Sequence, residues 1–188
     1  MQLIEKYAKE NEIPIIQKES LKFIENLINE KKIKNILEIG SAIGYSAIKM
    51  ALVSDEIKVL TLEKDETRFI EAKKNIEKMK LCDRITILNV DAKEFILDEQ
   101  FDLIFIDAAK SSNLYFFEKY KKNLKQNGII ITDNINFHNL KEEEIENKNL
   151  KRMVKKTREY REFLIANEEF ETVFIEIGDG LSISQRRG

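Results

Sequence analysis

Several short stretches of this sequence carry residues whose types and spacing suit ligand chemistry. The first, LEIGSAIGYSA at 37–47, sets Gly40 and Gly44 between an apolar run and a helical pattern. Gly40 permits a sharp turn there, and Gly44 lets a ligand approach the backbone closely. Ser41 and Ser46 fall near a helix N-terminus, where unpaired N–H groups and hydroxyls can hold a carboxylate or phosphate. Glu63 closes the second apolar run, a position from which a carboxylate accepts hydrogen bonds from a ribose diol. Asp91 follows the third run, placed to approach an adenine ring. The glycine spacing is G-x-x-x-G, not the G-x-G-x-x-G that cradles a pyrophosphate. A single carboxylate or amino-acid tail is therefore the better ligand, and nicotinamide-dependent hydride transfer is the distant alternative. The plainer reading of each residue taken alone is a turn former or a helix cap.

A second cluster comes from IDAAK (106–110) and TDNI (132–135). If the two strand ends are neighbours, Asp107, Asp133 and Asn134 offer three hard oxygen ligands. Such a set suits Mg²⁺ or another divalent cation, with water or substrate completing the shell. Lys110 would then lie within reach of a substrate oxygen. Here the alternative is that both aspartates cap strand ends and Lys110 is a solvated surface lysine.

The elements that must position these residues follow from the periodicity. Helical patterns at 17–31, 41–54, 65–80, 112–125 and 147–166 alternate with strand patterns at 35–39, 57–63, 84–90, 101–107 and 128–134. Asp65 is placed to cap the third of those helices, and AKEFIL (92–97) reads as a short helix. Two further strands, 171–177 and 181–185, flank a Gly178-Asp179-Gly180 turn in hairpin fashion. The pattern predicts an α/β fold with a doubly wound sheet of seven strands, mostly parallel, with an antiparallel strand from the C-terminal hairpin. Residues 1–33 are expected to form a helical cap and 34–188 the core of one domain. In such sheets ligands sit beyond the carboxyl ends of the strands, where the order reverses. The residues named above all lie just after strands.

Composition narrows the class. Hydrophobic residues make up 43% of the 188, enough for a sizeable core, and six glycines with one proline exclude collagen-like and Pro/Gly-rich disordered chains. Lys and Arg total 32 against 34 acids, a formal charge of −2, which excludes a generally basic nucleic-acid coat. The lone Cys82 excludes internal disulfides and Cys-based zinc sites, fits a reducing compartment and is expected to be a small buried filler. No apolar run approaches the roughly 18 residues of a membrane span, and the N-terminus lacks the features of a secretory signal. A cytoplasmic location with no membrane partner is expected.

LEIGSAIGYSA resembles motif I of the class I S-adenosylmethionine (SAM) methyltransferases. Together with the EKD after the second strand, the DA after the third, IDAAK, TDN and GDGLSIS, the sequence resembles the metal-dependent catechol O-methyltransferase-like family over roughly residues 5–185. Within it, YAKENEIPI, GSAIGYSAIKMAL, FIDAAK, GIIITDN and KNLKRMVKKTREY are most similar to bacterial O-methyltransferases of tRNA 5-hydroxyuridine. The chain begins almost directly with YAKENEIPI, where those relatives carry a further N-terminal helical segment. The resemblance implies SAM as cofactor, Asp107, Asp133 and Asn134 as ligands of Mg²⁺ or another divalent cation, and Lys110 as catalytic base or oxyanion stabiliser. It implies Glu63 on the ribose, Ser46 on the methionine carboxylate, Asp91 on the adenine side and Gly40 at the close turn. Glu38, Ser41, Ala92 and Asp107 complete the implied cofactor contacts. It also implies a homodimer, and Pro14 and Ile15 at the site entrance.

A bound divalent cation favours an acceptor with two vicinal oxygens. A catechol provides them, and so does 5-hydroxyuridine, whose 5-hydroxyl neighbours the C4 carbonyl. Discrimination must then come from the outer surface. Residues 148–161 hold seven Lys/Arg against the single Glu159, whereas 141–146 carry about −3. Lys151, Arg152, Lys155 and Lys156 are candidate tRNA contacts, with Lys119, Lys121, Lys122 and Lys125 as a second basic group closed by Arg186 and Arg187. Clustered cations near Tyr120 and Tyr160 suit phosphate contacts and a splayed single-stranded base. The alternative is a solvated amphipathic helix. Together with the resemblance, these features imply methylation of a tRNA wobble-position 5-hydroxyuridine to 5-methoxyuridine, with the anticodon stem-loop as partner. The competing readings are a small catechol or hydroxycinnamoyl-type acceptor and a non-catalytic SAM- and RNA-binding module. His138, after TDN, is a further candidate at the substrate mouth.

Overall fold

Three isoleucine-rich runs build the centre of the sheet: β1 (Asn35–Ile39), β4 (Phe101–Ile106) and β5 (Leu124–Asp133). Their side chains are buried in succession rather than alternately, as a strand covered on both faces requires. A computed structural model of the chain describes residues 1–136 and 145–188. β2 (Lys58–Glu63) and β3 (Ile85–Asn89) extend the sheet on one side, and β7 (Leu181–Arg186) and β6 (Phe170–Ile175) on the other. The order is β3-β2-β1-β4-β5-β7-β6. Parallel pairing runs from β3 to β5, and β7 is antiparallel to both neighbours. The predicted doubly wound, mostly parallel sheet of seven strands with an antiparallel C-terminal hairpin strand is therefore the observed one.

The pleat divides the core into two layers. Ile36, Leu103, Phe105, Ile129 and Ile131 face one side, packed with residues of α1 (Gln2–Glu10), α2 (Lys18–Glu30), α3 (Tyr45–Ala51) and α4 (Glu66–Lys78). Leu37, Ile39, Ile104, Ile106 and Ile130 face the other, under α5 (Asn113–Tyr120) and α6 (Lys148–Ile165). Asp65 caps α4 as expected, its side chain accepting from the amide of Arg68 at 2.9 Å. The same chemistry starts α6, where Asn147 accepts from the amides of Asn149 and Leu150.

Five local expectations are corrected. Residues 41–44 form a turn and the helix starts only at Tyr45, because Gly44 adopts a left-handed φ of 79°. Residues 92–97 are a turn and irregular chain rather than a helix. The 112–125 segment is α5 flanked by single 3-10 turns at Lys110–Ser112 and Lys121–Asn123. β5 begins at Leu124 instead of 128, through a register irregularity opposite Phe101 and Leu103. Gly128 allows this, since a Cβ there would lie 2.9 Å from the carbonyl of Asp102. Finally, Cys82 is exposed. Leu81 occupies the buried position in that turn, 3% exposed, after a left-handed Lys80 reverses the chain.

Candidate active site

The order reverses between β1 and β4, and their carboxyl ends open onto one crevice. Gly40 follows β1 with φ 93°. A Cβ there would stand 2.3 Å from the carbonyl oxygen of Asp107, so only glycine fits between the two strand ends. The loop beyond it is fixed from below. Glu63, at the end of β2, accepts from the amides of Ala42 and Asp65, each at 2.9 Å. Asn75 on α4 donates to the carbonyl of Ile43 at 3.0 Å. Ser41 is buried within this loop, and its hydroxyl has no protein partner.

Glu38 lies fully buried in β1, where Thr61 donates to its carboxylate at 2.5 Å. Burial pushes its carboxyl up to about 7, opposed by hydrogen bonds from Ser46 and Thr61 and reinforced by the charge of Glu63. Glu38, Ser46 and Glu63 thus converge on the end of β1. Asp91 and Ala92 lie one strand further out. Val90 and Asn89 bond to the carbonyl of Glu63, at 3.1 and 2.8 Å. Tyr120 donates to the carbonyl of Ala92 at 2.7 Å. The exposed Asp91 carboxylate accepts from the amide of Lys93, which makes it a turn cap in addition to any ligand role.

The second cluster forms where β4 and β5 end side by side. Asp107 is half-buried, and desolvation raises its carboxyl well above the usual range, with the charges of Asp133 and Glu38 adding to the shift. Burial raises Asp133 to about 6, with the charge of Asp179 pushing the same way. Lys110, in the turn after β4, acts against both shifts, so it stands within electrostatic reach of both acids. Asn134 ends β5 by taking a left-handed φ of 62°, and its amide donates to Asp133 at 3.0 Å.

Among the described residues no group of three or more His, Cys, Asp or Glu side chains is arranged to hold a metal. The set here is instead two acids and an amide. One oxygen of Asp133 is buried without a hydrogen-bond partner. Two mutually repelling carboxyls, one half-buried and one buried, with one orphaned oxygen and an adjacent amide carbonyl, form a hard-oxygen donor set, which fits a Mg²⁺-like dication.

The supports of this site leave little local trace in the sequence. Asp179, read only as part of a hairpin turn, faces Asp133 because the backbone oxygens of Asp179 and Gly180 accept from Asn136 and Ile135. Arg161 on α6 donates to the side chain of Asn136 at 2.7 Å and covers the ring of Phe174. The aspartate of the GDG turn is a visible signal; the pairing of Arg161 across 25 residues is not.

The basic groups differ in their state. Lys151, Arg152, Lys155 and Lys156 are all exposed on α6, which packs against the Lys110–Ser112 turn. Lys156 pairs with Glu159. The second expected group is largely spent within the chain. Lys119 donates to the carbonyl of Lys93, Lys121 pairs with Glu118 and Glu169, Lys125 with Asp102, and Arg186 with Glu169. Pro14 is exposed and Ile15 half-buried, while His138 lies outside the described residues.

A family model described as O-methyltransferase matches residues 2–187. A Staphylococcus aureus crystal structure, provisionally described as a caffeoyl-CoA O-methyltransferase, is 39% identical with a TM-score of 0.94, covering 99% of this chain and 91% of that one. The Bacillus cereus O-methyltransferase in complex with SAH (S-adenosylhomocysteine) is 27% identical with a TM-score of 0.81, covering 99% and 90%. The catechol O-methyltransferase of Niastella koreensis is 32% identical over 121 residues, 61% of this chain and 55% of that protein. Among the described residues no helix is long and apolar enough to cross a membrane.

Proposed function

The chain belongs to the O-methyltransferase family and is a SAM-dependent O-methyltransferase; from that premise we propose that it methylates the 5-hydroxyl of a 5-hydroxyuridine in tRNA, at the anticodon wobble position, with the help of a divalent cation. On this reading the Gly40–Ser46 loop and Glu38 hold the methionine end of SAM, Glu63 the ribose, and Asp91 with Ala92 the adenine side. Asp107, Asp133 and the carbonyl of Asn134 would hold Mg²⁺ or a similar ion. Such an ion, when bound, lowers the pKa of a coordinated hydroxyl and orients it.

The reaction forms a bond between the acceptor oxygen and the methyl carbon and breaks the methyl–sulfur bond of SAM, leaving SAH and a proton. Lys110 takes that proton at Nζ or, as the ammonium, stabilises the acceptor oxyanion. The loop supports described above keep the donor fixed, so the two reactants meet already aligned.

The single observation that carries the choice of acceptor is the exposed basic face of α6, seated on the turn that bears Lys110. A tRNA backbone lying along Lys151, Arg152, Lys155 and Lys156 brings a splayed loop base to the crevice. A second reading, a small catechol or hydroxycinnamoyl-type acceptor, is favoured by the names of the relatives. It uses the same catalytic groups. A homodimer and a cytoplasmic location belong to the same proposal. Incubation with labelled SAM, Mg²⁺ and undermodified tRNA, followed by nucleoside mass spectrometry, distinguishes the two. The tRNA reading expects 5-methoxyuridine in the digest. Transfer to catechol alone, with tRNA unlabelled, overturns it.

A further inference from the structure

The loop that receives the methyl donor is held from two directions. Glu63 and Asn75 secure Ala42 and Ile43 from the β2 and α4 side. The other support comes from the N-terminal helices. The hydroxyl of Tyr45, first residue of α3, donates to a carboxylate oxygen of Glu5 on α1 at 2.8 Å. The other oxygen of that carboxylate accepts from Lys18 at 2.6 Å, at the start of α2. A further ion pair, Lys49 with Glu25 at 2.7 Å, joins α3 to α2.

The placement of Tyr45 gives this bond leverage. Tyr45 is 3% exposed, follows the left-handed Gly44 and immediately precedes Ser46. Gly44 itself is seated against Ala72, where a Cβ would come within 3.3 Å. A main-chain shift at Tyr45 is therefore shared with the glycine turn before it and with Ser46 after it. Glu5, by contrast, stands on an exposed nine-residue helix whose only buried residues are Ile4 and Ala8. Its polar contacts run to Tyr45 and Lys18, and its side chain is only 25% exposed.

We infer that Glu5 is a positioning residue for the methyl donor, acting through Tyr45 to set the conformation of the loop that carries Gly44 and Ser46. This rests on the SAM-dependence of the family and not on the identity of the acceptor. The protonation states agree with it. Lys18 and Tyr45 hold the Glu5 carboxyl below its usual value, so it stays an acceptor. Burial and the neighbouring carboxylate push the Tyr45 hydroxyl up, so it stays a donor.

The test is a coupling experiment on the full chain, with SAH binding measured by calorimetry and thermal midpoints recorded in parallel. Glu5→Ala and Tyr45→Phe should each weaken SAH about tenfold, the size of a charge-assisted hydrogen bond lost from a preorganised site. The double variant should weaken it no further, because the two residues act as one unit. Glu5→Gln, which keeps an acceptor for Tyr45, should restore binding to within about threefold of the parent. In turnover, the effect should fall on the KM for SAM rather than on kcat. SAH affinity within twofold of the parent in both single variants overturns the inference, whatever the thermal midpoints do. Additive losses in the double variant overturn it as well. Failure to methylate tRNA leaves the SAH result standing, so the two readings fail separately.

Discussion

The α-carbon of Gly40 and the backbone carbonyl of Asp107 pack so closely that the space of a methyl group is missing between them. That contact joins β1 to β4 at the point where the sheet reverses, and it sets the floor of the crevice. Gly40→Ala must either part the strands or force the backbone out of φ 93°. A stability loss of about 2 kcal/mol or more is expected from the left-handed backbone and the clash together. Denaturant unfolding measures that loss, and calorimetry should show SAH binding abolished. A variant that binds SAH normally would mean the strand ends can separate freely.

Glu38 gives the folded chain a distinct pH dependence. Its carboxyl is raised from 4.5 to about 7, so between those values the native chain retains a proton that the unfolded chain has lost. Its contribution to stability is therefore complete below pH 4.5 and is lost as pH rises toward 7. The amount is on the order of 3 kcal/mol. Glu38→Gln keeps an acceptor for Thr61 and should flatten this part of the curve. Urea unfolding of both proteins across that range, without ligand, checks the expectation.

Asp133 repels Asp107 and Asp179, and one of its oxygens lacks a partner. Asp133→Asn should relieve that repulsion and stabilise the ligand-free protein while removing the proposed ion site. Methyl transfer is expected to fall by about 100-fold or more, to a level that a chelator does not lower further. Transfer that persists at parental rates in the presence of chelator would exclude these residues from metal binding.

The α6 face offers a test that separates docking from chemistry. Ala at Lys151, Arg152, Lys155 and Lys156 should raise the KM for tRNA and leave transfer to a small catechol unchanged. The slope of log affinity against log salt should fall by about one for each cation that meets a phosphate. An unchanged slope would identify the face as solvated surface only.

The sequence showed the strand ends well and the supports poorly. Gly40, Glu63, Asp107 and Asp133 were legible because each follows a buried apolar run, and parallel sheets present ligands there. Asp65 was legible as a cap because its partner is only three residues away. Glu5 and Tyr45, 40 residues apart, and Arg161 and Asn136, 25 apart, leave no local pattern. The second basic group misled for a related reason. Lys121, Lys125 and Arg186 find their acids across the fold, so a count of neighbouring charges overstated what reaches a ligand. In the 92–97 segment, Ala92, Phe95 and Ile96 supply helical spacing. Yet the amides of Lys93 to Phe95 are drawn to the Asp91 side chain and carbonyl, which closes a turn instead.

The position of β7 has a consequence for how the chain is made. β5, which ends in Asp133, emerges before β6, yet its outer neighbour is β7, the later strand of the hairpin. During vectorial synthesis β5 must wait with one edge open until the whole 170–186 ribbon has formed and turned inward. Across that interval a run of three isoleucines lies beside unpaired N–H and C=O groups, the kind of edge that invites aggregation. The order of strands thus places the period of greatest exposure on the strand that bears the proposed cation-binding acid, and makes hairpin closure the step that ends it.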